Sequence, residues 1–245
     1  MPTELNALDR SVDDWTVASL RDAFFAHGCA IVRGAVDVEY LARLAVSVDR
    51  AYQRTSEAHV NEGEIVAAGF GVSGFEIGDQ PLLRGLLDAV FRGRENYQPA
   101  YVAARRVHGQ KKDESFQPPL DLHVDAQYHG PRFVVNFWLP LQACGVDRPT
   151  ILLVPVDRHR TRAHVGFTGE RLRQGGDWYL DWFDLDTMTV DRVRDAFGDD
   201  CFLHPVMARG DVVIASSWII HGSWWTKAMT RGRKSVEVRY IGDVT

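Results

Sequence analysis

A short His-x-Asp segment and one distant histidine carry the residue types that bind a divalent transition metal. His123 and Asp125 flank Val124, and His221 follows far downstream in the chain. Residues i and i+2 of an extended strand point to the same side, so the side chains of the first pair can reach one ion. Two imidazoles and one carboxylate form the facial triad of non-haem Fe(II) oxygenases, which leaves coordination positions open. The spacing predicts such a metal centre, with the third ligand on another strand.

The elements that must hold these residues divide into a helical part and a strand-rich part. Helical spacing prevails over about residues 11–98, where Ser11 with Asp14 predicts the cap of the first helix and Asp79 the cap of a later one. Short β-type runs separated by Gly, Pro and Asp follow from about residue 100. The predicted strands are 29–32, 101–107, 122–126, 133–139, 151–154, 212–215, 218–221 and 235–241. Many short strands after a helical preface predict a mainly β sandwich or barrel braced by helices.

The chain is predicted to be one domain over residues 1–245, because no linker interrupts it. An insertion over about residues 165–205, rich in aromatic and acidic residues, separates two groups of strands and contains a predicted helix near 190–197. It is interpreted either as a lid over the barrel mouth or as an amphipathic cover of the barrel.

Composition and charge exclude several classes of protein. A net charge of −5 and a pI near 6.0 argue against non-specific nucleic-acid binding. The three cysteines are isolated, which excludes a cysteine-type zinc site and does not suggest a disulfide framework. The first residues lack the apolar core of a signal peptide, and no apolar run approaches a membrane span, so we expect a cytoplasmic protein with no membrane partner.

The strings around the metal-binding residues resemble the phytanoyl-CoA dioxygenase (PhyH-like) family of Fe(II)/2-oxoglutarate-dependent oxygenases. The resemblance rests on the segments 21–34, 122–125, 137–141, 210–223 and 233–235, taken in this order. It covers most of the chain except the insertion. The family fold is a double-stranded β-helix, a jelly-roll barrel of the cupin type, which agrees with N-terminal helices followed by strands.

The resemblance also implies a set of site residues. His123, Asp125 and His221 would bind iron as the catalytic metal, and Arg233 would pair with the distal carboxylate of 2-oxoglutarate. A shift of two residues in the alignment would make Arg231 this anchor instead. Two further residues of the implied 2-oxoglutarate site are Ser223, as a hydrogen-bond donor, and Trp138, as an aromatic wall.

The implied reaction uses Fe(II), 2-oxoglutarate and O2, with ascorbate supporting activity, and releases succinate and CO2. Hydroxylation of a C–H bond is the expected outcome. Related halogenases have Gly or Ala where this chain has Asp125, so a carboxylate here favours C–H oxidation over halogenation. Two alternatives stay open: a catalytically silent metal-binding jelly roll, and a metal-dependent cupin-type enzyme that does not use 2-oxoglutarate.

The expected partner is a small-molecule substrate, possible classes being natural products and amino-acid derivatives. Gln127 and Tyr128 follow the metal strand directly and are candidates for substrate contact, as is Trp224 of the Trp224–Trp225 doublet. His129, His159 and His164 are weaker candidates for substrate groups or additional ligands. Arg158, Arg160 and Arg162 could form a basic patch for a CoA phosphate, although the family name does not imply an acyl-CoA substrate. The oligomeric state is left open.

Overall fold

The computed structural model describes residues 7–68, 73–109, 122–126, 132–165, 171–174, 177–180 and 188–243. The strands in chain order are β1 Asp9–Ser11, β2 Cys29–Arg33, β3 His59–Asn61, β4 Tyr97–Val107, β5 Phe133–Pro140, β6 Thr150–Val154, β7 Arg171–Gln174, β8 Asp177–Leu180, β9 Val212–Ser216, β10 Ile220–Trp224 and β11 Arg233–Gly242. The α-helices are α1 Val17–His27, α2 Val38–Tyr52, α3 Glu62–Ala67, α4 Pro81–Phe91, α5 Arg158–His164 and α6 Val190–Phe197.

Two sheets form the framework of a jelly roll. The larger is a seven-stranded mixed sheet in the order β1-β2-β9-β5-β11-β4-β3, in which only the pair β1-β2 is parallel. The smaller is the antiparallel pair β6-β10. Isolated bridges extend it at both edges, from Leu203 to Leu153 of β6 and from His123 to His221 of β10. The first predicted metal ligand therefore lies at the edge of the smaller sheet.

The N-terminal part of the chain contributes strands to the barrel as well as helices. β2 is an apolar run that pairs with β9, and β1 and β3 form the two edges of the large sheet. The division at residue 100 therefore does not separate helices from barrel. The apolar character of β2 explains why it joins the sheet, because both of its faces are buried.

The first helix begins later than the sequence suggests. Thr16 accepts a hydrogen bond from the backbone N–H of Ser19, and the Ser19 side chain bonds back to Thr16, so this pair forms the cap. Ser11 makes no capping hydrogen bond and instead ends β1, so the predicted cap was wrong. Gly28 ends the helix with φ 72°, a left-handed conformation that suits glycine.

The predicted cap at Asp79 was also wrong. Asp79 ends a 3-10 helix, Gly74–Asp79, and Gln80 is the residue that precedes α4. Pro81 occupies the first position of that helix, where its lack of an N–H costs no hydrogen bond.

The two faces of β11 have opposite chemistry. Val236, Val238 and Tyr240 point to the helical layer and belong to the main apolar core. The alternate residues of the strand are polar and buried on the other face, toward the small sheet; they are Arg233, Ser235, Glu237 and Arg239. Alternation of period two thus places four polar side chains inside the barrel.

The described part of the insertion consists of a hairpin and a helix. β7 and β8 pair in antiparallel register, and α6 follows them. Val193 of α6 belongs to the same apolar cluster as Val124 and Ala126, which flank Asp125. The helix therefore supports the back of the metal-binding segment. Residues 166–170, 175–176 and 181–187 lie outside the described residues, and the lid stays a prediction.

Among the described helices, none has both the length and the apolar character that a membrane crossing requires.

Candidate metal centre

The two histidines are brought together by backbone pairing. The N–H of His123 donates to the carbonyl of His221 and the reverse bond is also formed, each over 2.9 Å. The centroids of the two imidazole rings lie 4.2 Å apart. The predicted strand at 122–126 is reduced to the single bridge at His123, and Asp125 lies in a turn instead. The turn forms where Ala126 N–H donates to the carbonyl of Ser217 over 2.7 Å, which takes the backbone away from β10.

Asp125 lies between the two imidazoles. Its Oδ1 is 3.9 Å from Nε2 of His123, and its Oδ2 is 3.9 Å from Nε2 of His221. The ligand atoms of all three residues lie within 4.8 Å of one another. Bonds of about 2.1 Å from two ligands to one ion allow the ligand atoms to be up to ~4.2 Å apart. The donor set and the carboxylate–imidazole distances thus fit one transition-metal ion.

The tautomer of His221 is set by the backbone. Its Nδ1 lies 3.0 Å from the carbonyl oxygen of Ile219. A carbonyl only accepts, so Nδ1 carries the proton and Nε2 is left with its lone pair facing Asp125. A hydrogen bond of this kind orients a metal-binding imidazole.

The Asp125 carboxylate is almost completely buried and held from two directions. Arg239 Nη2 donates to Oδ1 over 2.9 Å, and Asn136 Nδ2 donates to Oδ2 over 3.3 Å. Asp125 is 1% exposed, and these two donors fix the plane of its carboxylate. Neither donor was predicted from the sequence.

A cavity of about 610 Å³ connects the metal centre to the predicted 2-oxoglutarate residues. His123 and His221 line it at one end, and Ser223, Trp138 and Arg233 line it as well. His221 and Ser223 share this face of β10 because they are two residues apart. Five of the six residues that the resemblance implies for the site therefore border one cavity, and the sixth, the buried Asp125, contacts that group through its histidine neighbours.

Arg233 is a buried cation inside this cavity wall. It is 4% exposed, and within the described part of the chain its Nε and Nη1 have no hydrogen-bond partner. Its guanidinium lies 5.0 Å from the centroid of the Trp138 ring. Burial lowers the pKa of Arg233 to about 10, which still leaves it charged at neutral pH. By contrast, Arg231 is largely exposed and pairs with Asp147 over 3.0 Å.

Of the three candidate residues for substrate contact, only Trp224 lies within the described residues. Gln127 and Tyr128 lie outside the described residues. Trp224 points away from the cavity, because it is on the opposite face of β10 from Ser223, and its ring stacks on His204 at 4.6 Å. Trp224 is not among the described residues that line the cavity, whereas the next residue, Trp225, is, and substrate contact by Trp224 stays a prediction.

The weaker histidine candidates and the basic patch lie away from the cavity wall. His159 is exposed at the start of α5, and His164 contacts Phe197 at 5.0 Å. His129 is outside the described residues. The three arginines of α5 are each held against an aromatic ring: Arg158 against Phe133 at 6.0 Å, Arg160 against Phe197 at 5.3 Å and Arg162 against Trp218 at 5.1 Å.

The sequence contained one signal for the residues that were missed. From Ser235 onward, Ser235, Glu237 and Arg239 alternate with apolar residues along β11, a pattern typical of a strand with one buried apolar face. The other face would ordinarily be solvated, so the pattern alone could not show that these charges lie inside the barrel. No comparable signal identifies Asn136, which lies within a strand that is buried throughout.

Comparison with known proteins gives structural likeness only. No protein-family model matches the chain, and no curated protein matches it. Among solved structures, the epimerase SnoN in complex with Fe3+, alpha ketoglutarate and nogalamycin RO has a TM-score of 0.61 at 13% identity, covering 92% of this chain and 83% of SnoN. The non-haem alpha ketoglutarate-dependent carbocyclase SnoK from nogalamycin biosynthesis gives 0.63 at 11% identity, covering 96% and 87%.

A third structure, EvdO2 from Micromonospora carbonacea var. aurantiaca complexed with 2-oxoglutarate, gives a TM-score of 0.57 at 16% identity, covering 91% of this chain and 90% of EvdO2. These identities establish a shared fold. The named structures are of enzymes or complexes that use or bind alpha ketoglutarate (2-oxoglutarate).

Proposed function

We propose that the protein is a non-haem Fe(II)/2-oxoglutarate-dependent dioxygenase that oxidises a C–H bond of a small-molecule substrate. The observation that carries this proposal is Arg233, a buried cation that lines the same cavity as His123 and His221. Two of its nitrogen atoms have no hydrogen-bond partner among the described residues. A jelly roll that only held a metal would gain nothing from it. A carboxylate such as the distal end of 2-oxoglutarate is a suitable partner for this guanidinium.

His123, Asp125 and His221 would hold the Fe(II). When bound with 2-oxoglutarate and O2, iron of this type supplies the oxidation of a substrate C–H bond, with release of succinate and CO2. The chain's own residues supply position and charge. Two neutral imidazoles and one carboxylate neutralise half the charge of the ion and leave one face open.

The co-substrate end of the cavity would be formed by Arg233, Ser223 and Trp138. Arg233 would bind the distal carboxylate, which would replace the missing hydrogen-bond partners of its guanidinium. Ser223 faces the same cavity and supplies a hydroxyl donor, and Trp138 excludes water from below the guanidinium. Ser235, whose Oγ is buried without a partner among the described residues, lies two residues from Arg233 on the same strand face. Arg231 is not suited to this role, because it lies in a surface ion pair.

Hydroxylation is the outcome we favour, on the ground that Asp125 supplies the carboxylate a halogenase would lack. SnoN and SnoK are an epimerase and a carbocyclase, which shows that one fold supports several outcomes. The PhyH-like family remains the family we favour on the residues of the sequence.

The substrate would be a small molecule, with natural products and amino-acid derivatives the leading classes. A cavity of about 610 Å³ lies within the ~300–1,000 Å³ range of small-molecule sites. Trp225 lines the cavity and is a further residue that we expect to contact the substrate. SnoN was solved with nogalamycin RO, which favours a natural product.

The test is formation of succinate by the purified protein with Fe(II), ascorbate, 2-oxoglutarate and O2. Turnover without the substrate is expected to be slow but above that of His123→Ala, which removes one ligand. Asp147→Asn is the control, because Asp147 is a partly exposed surface residue that does not line the cavity. Equal succinate formation by wild type and His123→Ala would contradict the proposed function.

A further inference from the structure

A chain of ion pairs connects the metal ligand Asp125 to the wall of the cavity. Arg239 Nη2 lies 2.9 Å from Asp125 Oδ1 and 3.0 Å from Glu237 Oε2. Glu237 Oε1 lies 3.1 Å from Nε of Arg105. The charges alternate along the chain, and Glu237 and Arg105 both line the cavity.

The inner three groups are buried, so their interactions are strong and specific. Asp125, Glu237 and Arg239 are 1%, 8% and 6% exposed. Little water screens the charges at this depth, and each charge needs a partner. Arg105, with about half of its side chain exposed, is the weak outer end of the chain.

The sheet register places these groups where they can act on the metal segment. Arg239 lies opposite Asn136 and Glu237 lies opposite Trp138 in the pairing of β11 with β5. Arg239 and Asn136 are the two donors to Asp125, so neighbouring strands hold the two oxygens of one carboxylate. The direction of Arg239 is fixed in turn by Glu237.

We infer that Glu237 is a positioning residue of the metal centre, which acts on Asp125 through Arg239. This inference rests on the proposed function, in which Asp125 binds the ion. Glu237 orients Arg239 so that Asp125 keeps one fixed plane. It also balances the charge of Arg239, which otherwise would cancel the negative charge that Asp125 offers to the metal.

By orienting Arg239 and by balancing its charge, Glu237 strengthens metal binding in two ways. Without its carboxylate, Arg239 would lose its bond to Glu237 Oε2, and more of its positive charge would act on Asp125, in competition with the metal. The orientation of Arg239 would also be lost. Both changes weaken metal binding, and partners of metal ligands typically contribute about 10- to 100-fold in affinity.

The experiment is titration of the metal-free protein with Mn(II) and Co(II), comparing wild type with Glu237→Gln. Glutamine keeps the shape and removes the charge. We expect Glu237→Gln to bind both ions about 10- to 100-fold more weakly and to alter the visible absorption spectrum of bound Co(II). Unchanged affinity with an unchanged Co(II) spectrum would overturn the inference, even if the variant unfolds at a lower temperature.

A second variant keeps the test decisive if Glu237→Gln does not fold. Arg239→Lys retains the positive charge but replaces the planar guanidinium, whose Nη2 donates to both Asp125 and Glu237, by a shorter, rotatable ammonium group. We expect Arg239→Lys to bind both ions more weakly than wild type does, with a changed Co(II) spectrum. A spectrum and affinity identical to those of wild type would overturn the positioning role.

The matched control is Asp147→Asn. Asp147 also pairs with two arginines, Arg148 at 3.4 Å and Arg231 at 3.0 Å, but it is about half exposed at the surface. Asp147→Asn removes one negative charge, as Glu237→Gln does, and we expect its metal affinity to equal that of wild type. Equal losses in Glu237→Gln and Asp147→Asn would overturn the inference, because net charge alone would explain them. Failure of wild type to bind either ion would instead contradict the proposed function.

Discussion

Arg233 and Arg239 lie at opposite ends of one strand, on the same face and at similar depth, yet the fold treats them differently. Arg239 pairs with Asp125 and Glu237, whereas two nitrogen atoms of Arg233 have no hydrogen-bond partner in the described part of the chain. The comparison separates two uses of a buried charge. Arg239 is a partner for a charge that the protein itself supplies, and Arg233 is available for a charge that a ligand brings.

This difference has an energetic consequence. A buried group without a hydrogen-bond partner costs about 1–3 kcal/mol, and more when charged. Contact with the Trp138 ring offsets up to roughly 2 kcal/mol of that cost for a desolvated cation. The remaining cost is typical of a binding site whose stability is lower without its ligand.

The largest expected effect is a loss of unfolding free energy when Arg239 is replaced. Arg239→Met leaves Asp125 and Glu237 buried without their shared cation, and breaking one side of a buried ion pair costs about 3–5 kcal/mol of unfolding free energy. Urea unfolding of the metal-free protein measures this. A loss below about 1 kcal/mol would show that the two ends of β11 do not differ as described.

The second effect is a loss of 2-oxoglutarate affinity when Arg233 is replaced. Arg233→Met should weaken 2-oxoglutarate binding to the Mn(II)-loaded protein by about 2–5 kcal/mol, since a buried charge pair is lost. Calorimetric titration measures it, and Mn(II) affinity should stay as in wild type. Arg231→Met is the control and should bind 2-oxoglutarate normally, because Arg231 pairs with Asp147 at the surface. If Arg231→Met weakened 2-oxoglutarate binding and Arg233→Met did not, Arg231 would be the residue that binds the distal carboxylate.

The third effect is a gain in unfolding free energy, whereas Arg239→Met is expected to lower it. In the absence of ligand, Arg233→Met should raise the unfolding free energy by about 1–2 kcal/mol, because an unpaired buried cation is replaced by an apolar side chain. The same urea series measures both variants. Destabilisation by Arg233→Met would mean that Arg233 is a structural charge like Arg239.

The smallest effect concerns the ring beneath the cation. Trp138→Phe keeps an aromatic face and should change 2-oxoglutarate affinity only a few-fold, whereas Trp138→Leu should lose about 1 kcal/mol more. Calorimetry of the two variants distinguishes an aromatic contact from simple packing. Equal affinities would show that the ring contributes only volume.

The sequence predicted most of the strands of the barrel and three candidate metal ligands that the structure brings together, because both depend on local patterns. Six of the observed strands, β2, β4, β5, β6, β9 and β11, overlap the predicted segments closely. The His-x-Asp spacing predicted two ligands on one side, although the turn at Asp125 differs from the expected strand. Helix caps were less predictable, since Ser11, Thr16 and Asp79 are all competent capping residues and only tertiary packing decides among them.

The supports of Asp125 could not be predicted for a different reason. Asn136 and Arg239 contact Asp125, and Glu237 contacts Arg239. These contacts depend on the register of β5 against β11, which joins residues about 100 positions apart in the chain. A strand with alternating charges is ordinarily half-exposed, and nothing local shows that the small sheet covers that face. The orientation of the Trp224 side chain could not be predicted either, because a shift of one residue along β10 moves a side chain to the opposite face of the strand.

The most direct test of the account is anaerobic titration of the Fe(II)-loaded protein with 2-oxoglutarate, followed by visible absorption and thermal unfolding. The account predicts a weak metal-to-ligand absorption band and a rise in melting temperature for wild type. It predicts neither change for His221→Ala, which lacks one iron ligand. A wild-type protein that shows no band and no stabilisation would contradict the assignment as an Fe(II)/2-oxoglutarate-dependent enzyme.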